Sequence, residues 1–354
     1  MTYYDLGYNA AFENYRISQE LTNFEFGRII LEHKERYVIK TPTNEFDAEL
    51  IGNLRFTAES RYDFPAVGDW VSFSEYDDGK ALIYAIYPRF SIIERQAVGK
   101  SSQIQIIATN IDYGLMVQAV DRDFNLNRLE RYLTICNASK VEPIIVLSKV
   151  DLISKSDLDT IISQINQRIK NILILPVSNQ TTGYKNLEAH IKKGKTYCLL
   201  GSSGVGKSTL LNNLSGIETM KTGEISSSVN KGKHITSHRE LIVLNNGGIL
   251  IDNPGMREVG IADTNTGLEM TFDAILEYGQ HCKFNNCSHM HENGCAILEA
   301  VENGEIDQDS YDNFKKMEKE KLYFESDSKE LKKKDKNLGK LIKSAVKQRR
   351  NNKY

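Results

Sequence analysis

The rhythm of hydrophobic and polar positions divides the chain into unlike stretches. From Phe24 to about Glu94 short alternating runs dominate. They predict strands at Tyr37–Ile39, Asp47–Leu50, Asp69–Phe73 and Ala81–Ile86, with Asp77-Asp78-Gly79-Lys80 as a hairpin turn. About five strands in so short a stretch suit a small barrel of the OB type. Such a barrel either contacts nucleic acid or serves as a spacer. Ahead of it, residues 1–23 carry little pattern, though Leu6 and Tyr8 to Leu21 suit an accessory helix.

From about Ser101 to Asp273 strands alternate with helices. Tyr113–Ala119 and Pro143–Leu147 read as strands around a helix over Asn125–Ala138. Leu158, Ile162, Ile165 and Ile169 share one helix face behind a Ser156 cap. Ile172–Leu175 and Tyr197–Leu200 are strands, and Ser208–Leu214 opens a helix. Leu241–Leu244 and Ile249–Ile251 flank Asn245-Asn246-Gly247-Gly248, a hairpin. The pattern predicts an α/β domain with a mostly parallel sheet and helices on both faces. From 275 on the chain is helical and loop-like, and no internal repeat is visible.

A chain of 354 residues calls for two or three domains. No apolar run is long enough to span a membrane, and the first residues lack a basic flank followed by an apolar stretch. The expectation is a cytoplasmic monomer with no membrane partner. The net charge of −2 hides an asymmetry: Lys329–Tyr354 holds eleven basic and two acidic residues. Such a tail can touch nucleic acid or simply be solvated.

The candidate chemistry lies in three motifs in an unusual order. Gly201-Ser202-Ser203-Gly204-Val205-Gly206-Lys207-Ser208, followed by Thr209, fits the phosphate-binding loop G-x-x-x-x-G-K-[ST]. Its glycines let backbone N–H groups point inward at phosphates, and Lys207 reaches the terminal ones. Ser208 is expected to ligate Mg²⁺. Asp252-Asn253-Pro254-Gly255 fits the D-x-x-G that follows such a loop, with Asp252 on Mg²⁺ and the Gly255 N–H facing the γ-phosphate. Ser148-Lys149-Val150-Asp151 resembles the N/T-K-x-D guanine clamp, yet it precedes the phosphate loop by about fifty residues. Asp151 would accept two hydrogen bonds from guanine, which adenine cannot supply. Lys149 would lie along the base, and a backbone N–H near Val177-Ser178-Asn179 would meet the base oxygen. Ser148 is shorter than the usual Asn, so a weaker brace to the phosphate loop is expected.

Between loop and Asp252, the Gly- and Ser-rich stretch through Lys231–Glu240 reads as a mobile switch. Thr236 is the candidate to complete Mg²⁺ coordination, with Ser237 its competitor. The residue after D-x-x-G is Met256, which cannot orient an attacking water as Gln does. Slow turnover by the isolated chain is expected, with His234 or His238 as internal candidates to handle the water.

Of five cysteines, Cys136 and Cys198 fall in apolar segments and read as buried. Cys282, Cys287 and Cys295 cluster with His289 within fourteen residues. Three thiolates and one imidazole suit a closed structural Zn²⁺ site. His281 and His291 are read as non-ligands.

The combination resembles the circularly permuted, ribosome small-subunit-dependent GTPase A family. Beyond the nucleotide motifs, the resemblance is carried by Val67-Gly68-Asp69-Trp70-Val71, Val117–Val120 with Asp123–Leu133, Gly232-Lys233-His234 and Asp252–Glu258. It covers roughly residues 24–325. It implies an OB-fold RNA-binding barrel at 24–98, a permuted GTPase domain at 99–275 and a zinc domain at 276–325, while the extension at 1–23 and the basic tail at 326–354 lie outside it. It also implies GTP hydrolysis late in maturation of the small ribosomal subunit, stimulated by that subunit and its rRNA, with GTP or GDP controlling docking. A non-hydrolysing, nucleotide-gated scaffold is the alternative. Departures from the family are Ser148, Asn253 and Ile235-Thr236-Ser237.

Overall fold

The computed structural model describes residues 1–33, 36–96, 104–121, 124–178, 183–216, 240–252 and 265–325. Helix α1 (Ala10–Ser18) precedes strands β1 (Glu25–His33), β2 (Arg36–Lys40) and β3 (Glu45–Leu50), then a short α2 (Gly52–Thr57), β4 (Trp70–Asp77) and β5 (Lys80–Ile86). β1 pairs with β2 and β4, β2 with β3, β3 in parallel with β5, and β5 with β4. The circuit closes, so these five strands form the expected OB-like barrel. Alternate residues such as Ile29, Tyr37, Ile39, Phe46, Phe73 and Ile83 fill it.

The fourth strand begins at Trp70, one residue later than the apolar pattern suggested. The Asp69 carboxylate explains the difference. It accepts from Ala66 N at 2.8 Å, Thr109 Oγ1 at 2.6 Å and Arg89 at 2.6 Å. Gly68 beside it has φ +101°, and a Cβ there would lie 2.1 Å from the Thr109 carbonyl. Only glycine fits that approach.

A two-stranded ribbon, β6 (Ile92–Gln96) with β7 (Ile104–Thr109), follows the barrel. The boundary drawn at 98/99 lies between its strands, outside the described residues. The α/β domain then runs β8 (Tyr113–Ala119), α3 (Leu126–Ala138), β9 (Glu142–Ser148), α4 (Lys155–Arg168), β10 (Leu173–Pro176), α5 (Lys185–His190), β11 (Thr196–Leu200), α6 (Lys207–Ser215), β12 (Glu240–Val243) and β13 (Ile249–Asp252). The strand order is β10-β9-β8-β11-β13-β12, parallel except for β12. Leu31 of β1 pairs with Glu240 of β12, which joins barrel and sheet. The cap of α4 is Ser154, whose Oγ accepts from Asp157 N, and not Ser156. Ser154 has the extended backbone that a cap requires, while Ser156 already lies in the first turn.

Arg28 is wholly buried and locks three parts together. It donates to Gly68 O at 3.1 Å, Leu6 O at 2.7 Å, Asn110 O at 3.1 Å and Thr196 Oγ1 at 3.0 Å. Burial lowers its pKa to about 10 despite the fields of Asp112 and Asp69. The extension at 1–23 is thus part of the packed structure. Leu6, Tyr8 and Phe12 pack on Trp70 and Tyr87.

The chain ends in α7 (Asn265–Thr271), α8 (Asp273–Gly279), α9 (Ala296–Glu302) and α10 (Gln308–Glu325). Leu268, Phe272, Ile275, Ile297, Phe314 and Met317 form their core, which therefore runs back across position 275. A Cβ on Gly267 of α7 would lie 2.4 Å from the Thr134 carbonyl of α3, so the two helices meet closely. Among the described residues no helix is long and apolar enough to cross a membrane.

Candidate functional site

The ends of β8, β9 and β11 lie side by side, with Ala119 opposite Ser148 and Leu200 opposite Met116. Parallel strands bring their carboxyl ends to one edge, where α/β sheets place ligands. The phosphate loop leaves β11 there. A Cβ on Gly201 would lie 2.6 Å from Val117 O, so the loop turns directly against β8. Gly204 and Gly206 take φ of +84° and +95°, the left-handed backbone that lets successive N–H groups face inward. Ser203, Gly204 and Ser208 are exposed, while Val205 is buried under the loop. Lys207 and Ser208 open α6, with Thr209 behind them.

Lys207 Nζ donates to Gly201 O at 2.7 Å and Ser202 O at 2.6 Å. Burial pushes its pKa down to about 8, against the pull of Asp252. Asp252 is itself buried at the end of β13. A carboxylate together with a hydroxyl such as that of Ser208 is an oxygen set that Mg²⁺ can take alongside phosphates.

The candidate guanine clamp sits on the same edge. Ser148 is the last residue of β9, and its Oγ donates to Val205 O at 2.6 Å. The brace that a short side chain was expected to weaken is made. Lys149 has left-handed backbone, φ 60° and ψ 30°, which few non-glycine residues adopt. Its Nζ pairs with Asp121 Oδ2 at 2.7 Å, a partner the motif did not indicate. Val150 N reaches Val177 O and Val177 N reaches Leu147 O at 2.7 Å, which brings Ser178 beside the clamp. Gly183 supports Ser178, since a Cβ there would lie 2.3 Å from Ser178 O. Asp151 is exposed. Asn179, His234, Thr236, Ser237, His238, Asn253, Gly255 and Met256 lie outside the described residues, as does the tail at 326–354.

Arg128 was not singled out as a site residue. It belongs to the first turn of α3, and its Nη1 donates to Ser202 Oγ at 3.1 Å. Its place in the Asp123–Leu133 segment that carries the resemblance, near the end of β8, is the signal that pointed to it.

The metal cluster is brought together as expected. The ligand atoms of Cys282, Cys287, His289 and Cys295 all lie within 4.8 Å of one another, and neither His281 nor His291 is among them. Cys282 Sγ and Cys295 Sγ are 3.9 Å apart, and His289 Nδ1 is 3.5 Å from each. A tetrahedral zinc with bonds of about 2.3 Å to sulfur and 2.0 Å to nitrogen needs separations of about 3.8 and 3.5 Å. The residues therefore fit one structural Zn²⁺, bound through Nδ1. His289 pays for this with left-handed backbone, φ 55°, and the Tyr311 hydroxyl holds its carbonyl. Burial works against a Cys282 thiolate, but the N–H groups of Ala296 and Ile297 at the start of α9, together with the Cys295 and Cys287 thiols, lower its pKa overall.

A family model described as RsgA GTPase matches residues 86–262. One described as 50S ribosome-binding GTPase matches residues 196–349, starting at the strand before the phosphate loop. The small ribosomal subunit biogenesis GTPase RsgA 1 of Listeria innocua is 40% identical over 319 residues, covering 90% of this chain and 88% of its own. RsgA 1 of Bacteroides thetaiotaomicron is 35% identical over 341 residues, covering 96% and 95%. The fold resembles the crystal structure of YjeQ from Thermotoga maritima, with TM-score 0.60 and 24% identity, covering 84% of this chain and 98% of that one. It also resembles YloQ, described as a circularly permuted GTPase, with TM-score 0.59 and 26% identity, covering 84% and 94%. A phosphate loop and guanine-clamp sequence on one sheet edge in permuted order, and relatives that match nearly end to end, lead to one assignment: the chain belongs to the RsgA GTPase family.

Proposed function

We propose that this GTPase acts late in maturation of the small ribosomal subunit. In this reading the subunit and its rRNA stimulate hydrolysis, and GTP or GDP decides docking and release. The observation that carries it is the Ser148–Val205 hydrogen bond. It ties the sequence that would choose guanine to the loop that would hold phosphate. The names of the relatives supply the small subunit as partner.

In the proposed site, Asp151 and the Ser178 backbone read the guanine edge, and Lys149 lies along the base. The N–H groups from Gly201 to Thr209 and the Lys207 ammonium hold the phosphates. Ser208, Asp252 and Thr236 would hold Mg²⁺, which would neutralise phosphate charge, the Gly255 N–H would face the γ-phosphate, and His234 would orient the water. The protein works as a cytoplasmic monomer.

The test is GTP turnover with and without purified small subunits. Slow basal turnover that rises at least about tenfold with subunits is expected, in line with activation of other GTPases by a partner. Tight GTP-dependent co-sedimentation without turnover would establish the scaffold reading instead.

A further inference from the structure

Two cations converge on Ser202. The Lys207 ammonium holds its carbonyl at 2.6 Å, and the Arg128 guanidinium holds its hydroxyl at 3.1 Å. Lys207 comes from the loop's own helix. Arg128 arrives from α3, more than seventy residues earlier, so it is the fixed point against which the loop is set.

What fixes Arg128 is equally specific. The Asn125 side chain caps α3 by accepting from Arg128 N at 3.0 Å. The adjoining residues are clamped from the other side by α4 and α10. Asn127 Oδ1 accepts from Arg168 at 2.6 Å, and Asn127 O from Asn313 at 3.2 Å. Glu130 accepts from Arg168 at 2.7 Å, Asn313 at 2.7 Å and Ser310 at 2.8 Å. Arg131 and Glu320 make a two-pronged pair at 2.8 Å. The first turns of α3 therefore join the zinc module to the phosphate loop, and residue 128 is the one that faces the loop.

We propose that Arg128 is a positioning residue for the phosphate loop, acting through Ser202. This rests on the nucleotide reading above. A loop that binds phosphate through backbone N–H groups loses efficiency when those groups drift from their aim. Holding Ser202 from outside the loop limits that drift.

The test uses the full-length protein and compares Arg128→Met, Arg128→Lys, Ser202→Ala and the double variant Arg128→Met/Ser202→Ala. Steady-state GTP turnover with small subunits, GDP affinity and thermal melting are measured for each. Arg128→Met should lower kcat by about tenfold, the loss for one hydrogen bond to a charged group, with KM changed far less. Melting should stay close to the parent, whereas GDP affinity should fall, because the loop N–H groups that Arg128 positions also hold the phosphates of GDP. Arg128→Lys should regain much of the rate, and the double variant should be no worse than Arg128→Met alone. Turnover of Arg128→Met within about twofold of the parent overturns the proposal. So does a double variant whose loss is the product of the single ones, since Arg128 would then not act through Ser202. Should Arg128→Met melt well below the parent, Ser202→Ala and Arg128→Lys decide alone: the first must lose rate and the second must keep it. An unmodified protein that never turns over GTP fails the hydrolase reading itself, a result distinct from active parent and active variant.

Discussion

Ser148 Oγ lies 2.6 Å from the Val205 carbonyl and donates to it. The two residues stand fifty-seven positions apart in the chain, on β9 and in the phosphate loop. This bond links the strand that ends in the proposed base site to the loop proposed to hold phosphate. Both residues are buried, so water does not compete for the bond.

Removing that hydroxyl should loosen the nucleotide rather than the fold. Ser148→Ala is expected to cost about 1 kcal/mol, the net worth of one neutral buried hydrogen bond, or about fivefold in GDP affinity. Ser148→Asn, with the residue usual at this position, should bind at least as well as the parent. Fluorescent-GDP titration decides, and an unchanged affinity in Ser148→Ala would show that the bond is not part of the binding site.

Lys207 gives a pH signature. Its pKa in the free protein is pushed down to about 8 by burial, whereas an unfolded lysine titrates near 10.4. Between those values the unfolded state binds more protons, so this group makes stability rise with pH across the window. Phosphates beside the ammonium should restore its proton. GDP binding near pH 8.5 is therefore expected to take up a sizeable fraction of one proton, read by calorimetry in buffers of different ionisation enthalpy. Lys207→Gln should abolish the uptake. A parent protein that binds GDP there with no proton uptake contradicts the placement of phosphate at Lys207.

Much of this arrangement was legible in the sequence where residue type and period agree. Tyr113–Ala119 is a strand over the whole predicted span because its apolar run ends cleanly at both sides. The metal cluster was legible because three cysteines and a histidine within fourteen residues have little other use in a chain of this composition. Long-range polar partners were not. Arg28 sits in a strand whose alternation marks neighbours, not the three carbonyls from Leu6, Gly68 and Asn110 that surround it. Nothing in the helical spacing marks Glu130 and Arg168 as buried, yet their side chains are 3% and 8% exposed. The segment before Phe24 lacked a period because its aromatic residues pack one by one on Trp70 and Tyr87. Ser154 and Ser156 differ as caps only through backbone dihedrals, which the letters do not encode.

Cys287→Ser should release zinc, because a hydroxyl is a poor replacement for the third thiolate. The segment around Cys282–Cys295 is expected to lose its fold, since metal binding supplies folding free energy in so small a unit. The sheet has its own cores and should persist, leaving basal GTP turnover measurable while stimulation by small subunits falls. Elemental analysis of the unmodified protein should give one zinc per chain. Finding none would remove the metal centre outright.

The buried pair between Arg168 of α4 and Glu130 of α3 shares its carboxylate with Ser310 and Asn313 of α10, and its two halves should respond differently to mutation. Arg168→Met leaves the Glu130 carboxylate buried with Asn313 and Ser310 as its remaining partners on these atoms. Breaking one side of such a pair costs about 3–5 kcal/mol. Replacing both ions by apolar residues of similar size avoids the stranded charge, so Arg168→Met/Glu130→Leu should recover part of that loss. Thermal melting of the two variants checks the order. The double variant should melt above Arg168→Met and should keep its zinc. A single variant that melts with the parent would show that the pair is solvated in solution and does not hold α4 against α3.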